Sequence, residues 1–213
     1  MVKRILKKMT MKPRIAEYEN FLQRIVGAGY TLSPLQEWPG EDYHYFLRHD
    51  VDKDPEAALI LGGIAAKYGQ ASFYFRWETM VPDVMRCLYQ MGHEVSLHYE
   101  TLANVFRENG VKRVKDITLK MVKEAEAKLA DEIALFEILF WPVETIIAHG
   151  QIRNRKVGIP NSVLNAGIAD YSHQPHNTDT AELSENRYIL IHPCHWIVTS
   201  RRERLIIDWK DKF

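Results

Sequence analysis

The chain has 213 residues, a formal net charge of zero, and 46% apolar against 26% charged residues. That composition supports a packed core rather than disorder, and the charge balance argues against general nucleic-acid binding, which draws on a basic excess. No apolar run is long enough for a membrane helix, and the locally basic first fourteen residues lead into no apolar stretch of the signal-peptide kind.

In chain order, Ile15, Tyr18, Phe21, Leu22 and Ile25 predict a helix over residues 13–26, ended by Gly27-Ala28-Gly29. Residues 31–42 read as loop. An apolar, aromatic run over 43–47 predicts a buried strand, and Arg48-His49-Asp50-Val51-Asp52-Lys53-Asp54 follows it directly. Pro55 opens a helix over 55–68, stopped by Gly69. A strand over 71–75, a helix over 82–91, an alternating strand over 94–98 and a helix over 101–109 come next. The longest helix is expected over 116–131, then a strand over 144–148 closed by His149-Gly150. Residues 151–160 read as loop, 161–166 as a helical turn, 167–171 as a weak strand, and a polar loop carries His173 and His176. Tyr188 to Ile191 reads as a terminal strand, ending in His192-Pro193. Strands alternating with helices imply parallel pairing and an α/β domain.

Several of these strands end in ionisable residues: Asp50 and Asp52, then His98, His149 and His192. In a parallel α/β barrel all strand carboxyl ends face one rim, so residues far apart in sequence converge there. Two acids on alternate residues can take different jobs, one holding a metal while the other moves a proton. Asp-x-Asp-x-Asp-Pro is also ordinary helix-capping and turn chemistry. Aspartate with neutral imidazole suits zinc or another first-row divalent ion. A carboxylate beside such a site can take a proton from water, and a histidine on its far side can protonate a leaving group. Cys87 and Cys194 form no metal-type pair and are expected as reduced thiols in a cytoplasmic protein.

Arg48-His49-Asp50-Val51-Asp52, Gly92-His93-Glu94-Val95-Ser96-Leu97-His98 and Ile189-Leu190-Ile191-His192-Pro193 together resemble motifs of the polysaccharide deacetylase family, the NodB-homology domain of carbohydrate esterases. The resemblance implies a distorted (β/α) barrel of about seven strands, a divalent metal, most often zinc, and hydrolysis of an acetyl group on a sugar. The resemblance covers about 44–197; with no repeat, low-complexity segment or linker to divide the chain, a single domain over 1–213 is expected, its N-terminal helix, 13–28, packed on that core. By the same resemblance Asp50 is the general base, Asp52 and His98 are metal ligands, and His192 is the general acid. His93 matches a position that is usually not a ligand.

The chain departs from the family pattern at position 102, where a second metal histidine is expected and Leu102 stands. His149, which ends a strand and precedes a glycine, is the candidate for the missing ligand, and Glu100 is the runner-up. Arg48 could orient Asp50 or hold substrate. Trp196 and Trp77 either offer faces on which a sugar ring could stack or pack in the core or at the rim. The expected substrate is an acetylated sugar or a small amide. A metal-dependent phosphoesterase and a non-catalytic binding domain that kept the fold are the rival readings.

Overall fold

The computed structural model describes residues 15–38, 41–149, 164–165 and 188–197. Helix α1 (Ile15–Gly27) buries Tyr18, Phe21, Leu22 and Ile25, whose three- and four-residue spacing puts them on one face. Strand β1 (Thr31–Ser33) and a 3-10 turn (Leu35–Glu37) occupy the stretch expected as loop. Three residues are too few to show a periodicity, and β1 is a strand because it pairs in parallel with residues 44–46.

Strand β2 (His44–Val51) runs past the apolar stretch that announces it and carries Arg48, His49 and Asp50 inside the ladder. Asp54 caps the next helix, α2 (Pro55–Ala65), with its Oδ1 accepting the Ala57 N–H at 3.3 Å. Its φ of 56° is a left-handed conformation that aspartate visits more readily than most residues. The remaining elements are β3 (Ser72–Phe75), α3 (Pro82–Gln90), β4 (Glu94–Tyr99), α4 (Thr101–Glu108), α5 (Leu119–Leu139), β5 (Thr145–Ala148), β6 (Leu164–Asn165), β7 (Tyr188–Ile191) and α6 (Pro193–Trp196). Helix α5 continues past residue 131 because Ala125, Leu129, Ile133 and Phe136 extend one buried face. Residues 164–165 are strand where a helical turn was expected. The expected loop over 151–160, the strand over 167–171 and the loop with His173 and His176 lie outside the described residues.

All the strands pair in parallel. β2 pairs with β3 and β7 through the same residues, 48 and 49, so those two strands lie on opposite edges of it. Leu32 bridges both Tyr45 and Gly69, which wedges β1 between the start of β2 and the approach to β3. The sheet therefore runs from β7 through β2, β3, β4 and β5 to β6. β7, the last of these strands in the sequence, is thus an immediate neighbour of the Asp50 strand.

Residues directly paired across a ladder share a face of the sheet. One face carries Leu47, His49, Val51, Phe73, Phe75, Val95 and Leu97 into the main core, against the buried faces of the helices. The other face is mixed. Phe46, Tyr74, Ile147 and Tyr188 form a small apolar cluster with Leu35. Around it, Ser72 Oγ donates to Glu94 at 2.5 Å, Tyr74 Oη meets Thr145 Oγ1 at 2.6 Å, and Thr145 also donates to Glu94. Burial pushes the Glu94 carboxyl above its ordinary range despite these donors. With both faces covered, β4 is buried at all six positions, as parallel strands usually are, although its sequence alternates.

His49 and His93 belong to this scaffold. His49 Nδ1 meets the Ser72 carbonyl at 3.2 Å, so Nδ1 donates and Nε2 accepts from Tyr18 Oη at 2.9 Å. His93 Nδ1 accepts from Ala71 N–H and its Nε2 donates to the Gly62 carbonyl.

Candidate metal centre

Parallel pairing brings the carboxyl ends of the strands to one rim. The first group there is Asp52, which follows β2 directly and stands two residues before the Asp54 N-cap of α2. His98, the fifth residue of β4, is 2% exposed. His149 follows β5, and its backbone N–H extends the ladder by donating to the Tyr99 carbonyl at 2.9 Å. His192 follows β7 as the N-cap of α6.

These side chains converge on the Asp52 carboxylate. Oδ1 lies 3.3 Å from His98 Nε2 and 3.4 Å from His149 Nε2, while Oδ2 lies 3.5 Å from His192 Nε2. One ligand atom from each of Asp52, His98 and His149 fits within 4.8 Å of the others, so the three can hold a metal ion.

The partners at Nδ1 show what those atoms offer when the rings are neutral. His98 Nδ1 faces the Ile147 carbonyl at 3.3 Å, and a carbonyl can only accept. The proton is therefore on Nδ1 in the neutral ring, and the Nε2 lone pair points at Asp52 and at Asp50 Oδ2, 3.4 Å away. His149 repeats the pattern. Its Nδ1 meets Glu100 Oε1 at 2.6 Å, so in the neutral ring the proton is on Nδ1 and the Nε2 lone pair faces Asp52. Asp52 Oδ1 and His98 Nε2 are buried with no hydrogen-bond partner. With the rings neutral, acceptors face acceptors in a buried place and a positive charge belongs between them, a proton or a metal, and this donor set fits a divalent ion.

In the metal-free protein a proton on an imidazole supplies that positive charge. Burial works to raise the pKa of Asp52, but the imidazoles of His149 and His98 outweigh it and hold the carboxyl well below the ordinary range. Asp52 in turn raises the pKa of His149, against the opposing effect of burial and with further help from Glu100. Burial likewise opposes ionisation of Asp50, yet Arg48 and then His98 hold its pKa down.

Other expectations change. Of the two roles expected for Arg48, the structure shows the contact with Asp50 and not a reach toward substrate. Arg48 is 4% exposed, grips both oxygens of Asp50 with its guanidinium, and donates to Tyr188 Oη at 3.2 Å. Trp196 does not offer a sugar platform either: it is 2% exposed and packs edge-on against Tyr18, with ring centroids 5.7 Å apart. Trp77 is partly buried against the core. Leu102 is fully buried in the core on α4, so position 102 is a packing position here. Glu100, the runner-up ligand, hydrogen-bonds to a ligand candidate.

Arg76 was passed over by sequence reasoning. It follows β3 and binds the Glu100 carboxylate through Nε, at 3.1 Å, and through its terminal nitrogen. The signal that singled out the other site residues, an ionisable side chain at a strand end, applied to it as well.

No family model, curated protein or solved structure matches this chain. No helix among the described residues is long and apolar enough to cross a membrane.

Proposed function

We propose that the protein is a metal-dependent hydrolase that removes an acetyl group from a sugar-type or small amide substrate, built on a distorted (β/α) barrel of about seven strands. The observation that carries the reading is the meeting of two Nε2 atoms and the Asp52 carboxylate, each imidazole held by an acceptor at Nδ1. Asp52, His98 and His149 would hold the ion, and one carboxylate with two imidazoles suits zinc. A bound ion supplies Lewis acidity and lowers the pKa of a water toward about 7.

The chain's own groups then divide the proton work. Asp50 shares the rim with Asp52 and is kept ionised by Arg48, so it is ready to take a proton from the attacking water. The water oxygen adds to the acetyl carbonyl carbon. As the carbon–nitrogen bond breaks, His192 gives a proton to the departing nitrogen, leaving acetate and a free amine. A histidine suits that task because its ordinary pKa lies near neutrality.

The test is turnover of acetylated sugars and small acetamides by metal-free and zinc-loaded protein, with phosphate esters in parallel. Zinc-dependent acetate release supports the reading. Zinc-dependent phosphate release alone moves the site to a phosphoesterase, and stoichiometric zinc with no turnover of either class favours a binding domain.

A further inference from the structure

We infer that Glu100 is a positioning residue for His149, with Arg76 as its anchor, and that this trio does the work a second histidine on α4 would otherwise do. The inference rests on the metal-centre reading above. It starts from the ladder between β4 and β5. His98 pairs with Ile147 and Tyr99 with Ala148, and the Tyr99 carbonyl accepts the His149 N–H. Continuing that register by one step sets Glu100 beside His149. The chain leaves β4 at Glu100, which is the N-cap of α4, and its Oε1 reaches His149 Nδ1 at 2.6 Å.

Glu100 cannot easily be a ligand while making this contact. Oε1 is engaged by His149 and Oε2 by two nitrogens of Arg76. What the carboxylate does is fix the ring. A lone imidazole past the end of a strand can rotate and can carry its proton on either nitrogen. Glu100 accepts the Nδ1 proton, keeps the Nε2 lone pair on Asp52, and raises the basicity of that nitrogen. Arg76 keeps the carboxylate aimed. Its Nε and terminal nitrogen grip one oxygen, its backbone N–H is tied to Thr79 Oγ1 at 3.1 Å, and Glu78 balances its outer side at 2.8 Å. His98 needs no such device, because its Nδ1 is held by a backbone carbonyl within the ladder.

The experiment measures zinc affinity of the full chain by competition with a chromophoric chelator, for wild type, Glu100→Ala, Glu100→Gln, His149→Ala and the double variant Glu100→Ala/His149→Ala, each checked for folding by circular dichroism. Loss of an outer carboxylate of this kind typically weakens metal binding about 10- to 100-fold. Glu100→Ala should fall in that range and Glu100→Gln, which keeps an acceptor oxygen, should lose less. In the His149→Ala background the Glu100 change should cost nothing further, since Glu100 acts only through that ring. Full affinity in Glu100→Ala beside a weakened His149→Ala overturns the inference. So do additive losses in the double variant, which would make Glu100 a ligand in its own right. A folded wild type that binds no zinc overturns the metal-centre reading itself, a result distinct from both.

Discussion

His98 Nε2 and Asp52 Oδ1 face each other at 3.3 Å, both buried, with the only ring proton of the neutral imidazole already spent on the Ile147 carbonyl. Two acceptors do not hold such a position without a positive charge between them. Asp52→Ala and His98→Ala should each abolish stoichiometric zinc in elemental analysis, where wild type carries one ion. Because neutral imidazole is the binding form, wild-type affinity should also fall as pH drops through the histidine range. Full metal in both variants would put the ion elsewhere.

Asp50 differs from Asp52 in its company. Arg48 takes both of its oxygens, and both partners are nearly fully buried. Asp50→Asn should keep zinc and lose about a hundred- to ten-thousand-fold in turnover. Arg48→Met should act on stability instead, by about 3–5 kcal/mol in chemical denaturation, since it strands a buried carboxylate. Loss of zinc in Asp50→Asn, with activity following occupancy, would exchange the roles of the two aspartates.

His192 reaches the Asp52 carboxylate from the β7 side of β2. His192→Ala should lower turnover of acetamides while leaving zinc content unchanged. An acetyl ester of a good leaving group should be much less affected, because it departs without a proton. Equal losses on amide and ester would assign the ring a structural part.

The buried scaffold histidines make stability depend on pH. Burial, the largest influence on His49, lowers its pKa from 6.5 to about 3, although the Ser72 carbonyl acts the other way. Between those values the unfolded chain binds a proton that the folded chain refuses. Stability from this group is thus complete above pH 6.5 and is lost as pH falls toward 3, by about 1.4 kcal/mol per unit. His93 is shifted in the same direction by burial and adds to the slope. The depressed carboxylates Asp50 and Asp52 act only below their ordinary 3.8, and His149, raised in the metal-free protein, acts only above 6.5. Glu94 and Glu132, whose carboxyls burial raises above 4.5, act the opposite way in the same range, so the check is a difference: between pH 4.5 and 6.5 acid should lower the urea midpoint of wild type relative to that of His49→Gln. Parallel slopes would mean that His49 titrates normally.

Most of the scaffold and the ligand candidates could be read from sequence because each carries a local mark. Strands β2, β3, β4, β5 and β7 are apolar or aromatic runs, and Asp52, His98, His149 and His192 each stand at or next to the end of one. The features that were missed are decided by neighbours. β1 is a strand because residues 44–46 lie beside it, and the neutral tautomer of His98 depends on a carbonyl from β5. The full engagement of Arg48 and the burial of Trp196 depend on partners elsewhere in the fold: Tyr188 lies 140 positions from Arg48, and Tyr18 packs on Trp196. Three aspartates in alternate positions look alike in sequence, yet Asp50 pairs with arginine, Asp52 faces the imidazoles and Asp54 caps a helix.

The place of β7 gives the molecule a temporal order. During synthesis, β2 emerges early and finds β1 and β3 soon afterwards, but its other edge, along residues 46–49, waits for Tyr188 to Ile191. Until then an apolar strand edge, a template for self-association, stands open in the nascent chain. Closing it requires contacts between distant parts of the sequence, which form slowly. The same event delivers Tyr188 to Arg48 and His192 to Asp52. Sealing the sheet and completing the rim are thus one step, and a chain stopped before that strand should be both sticky and inert.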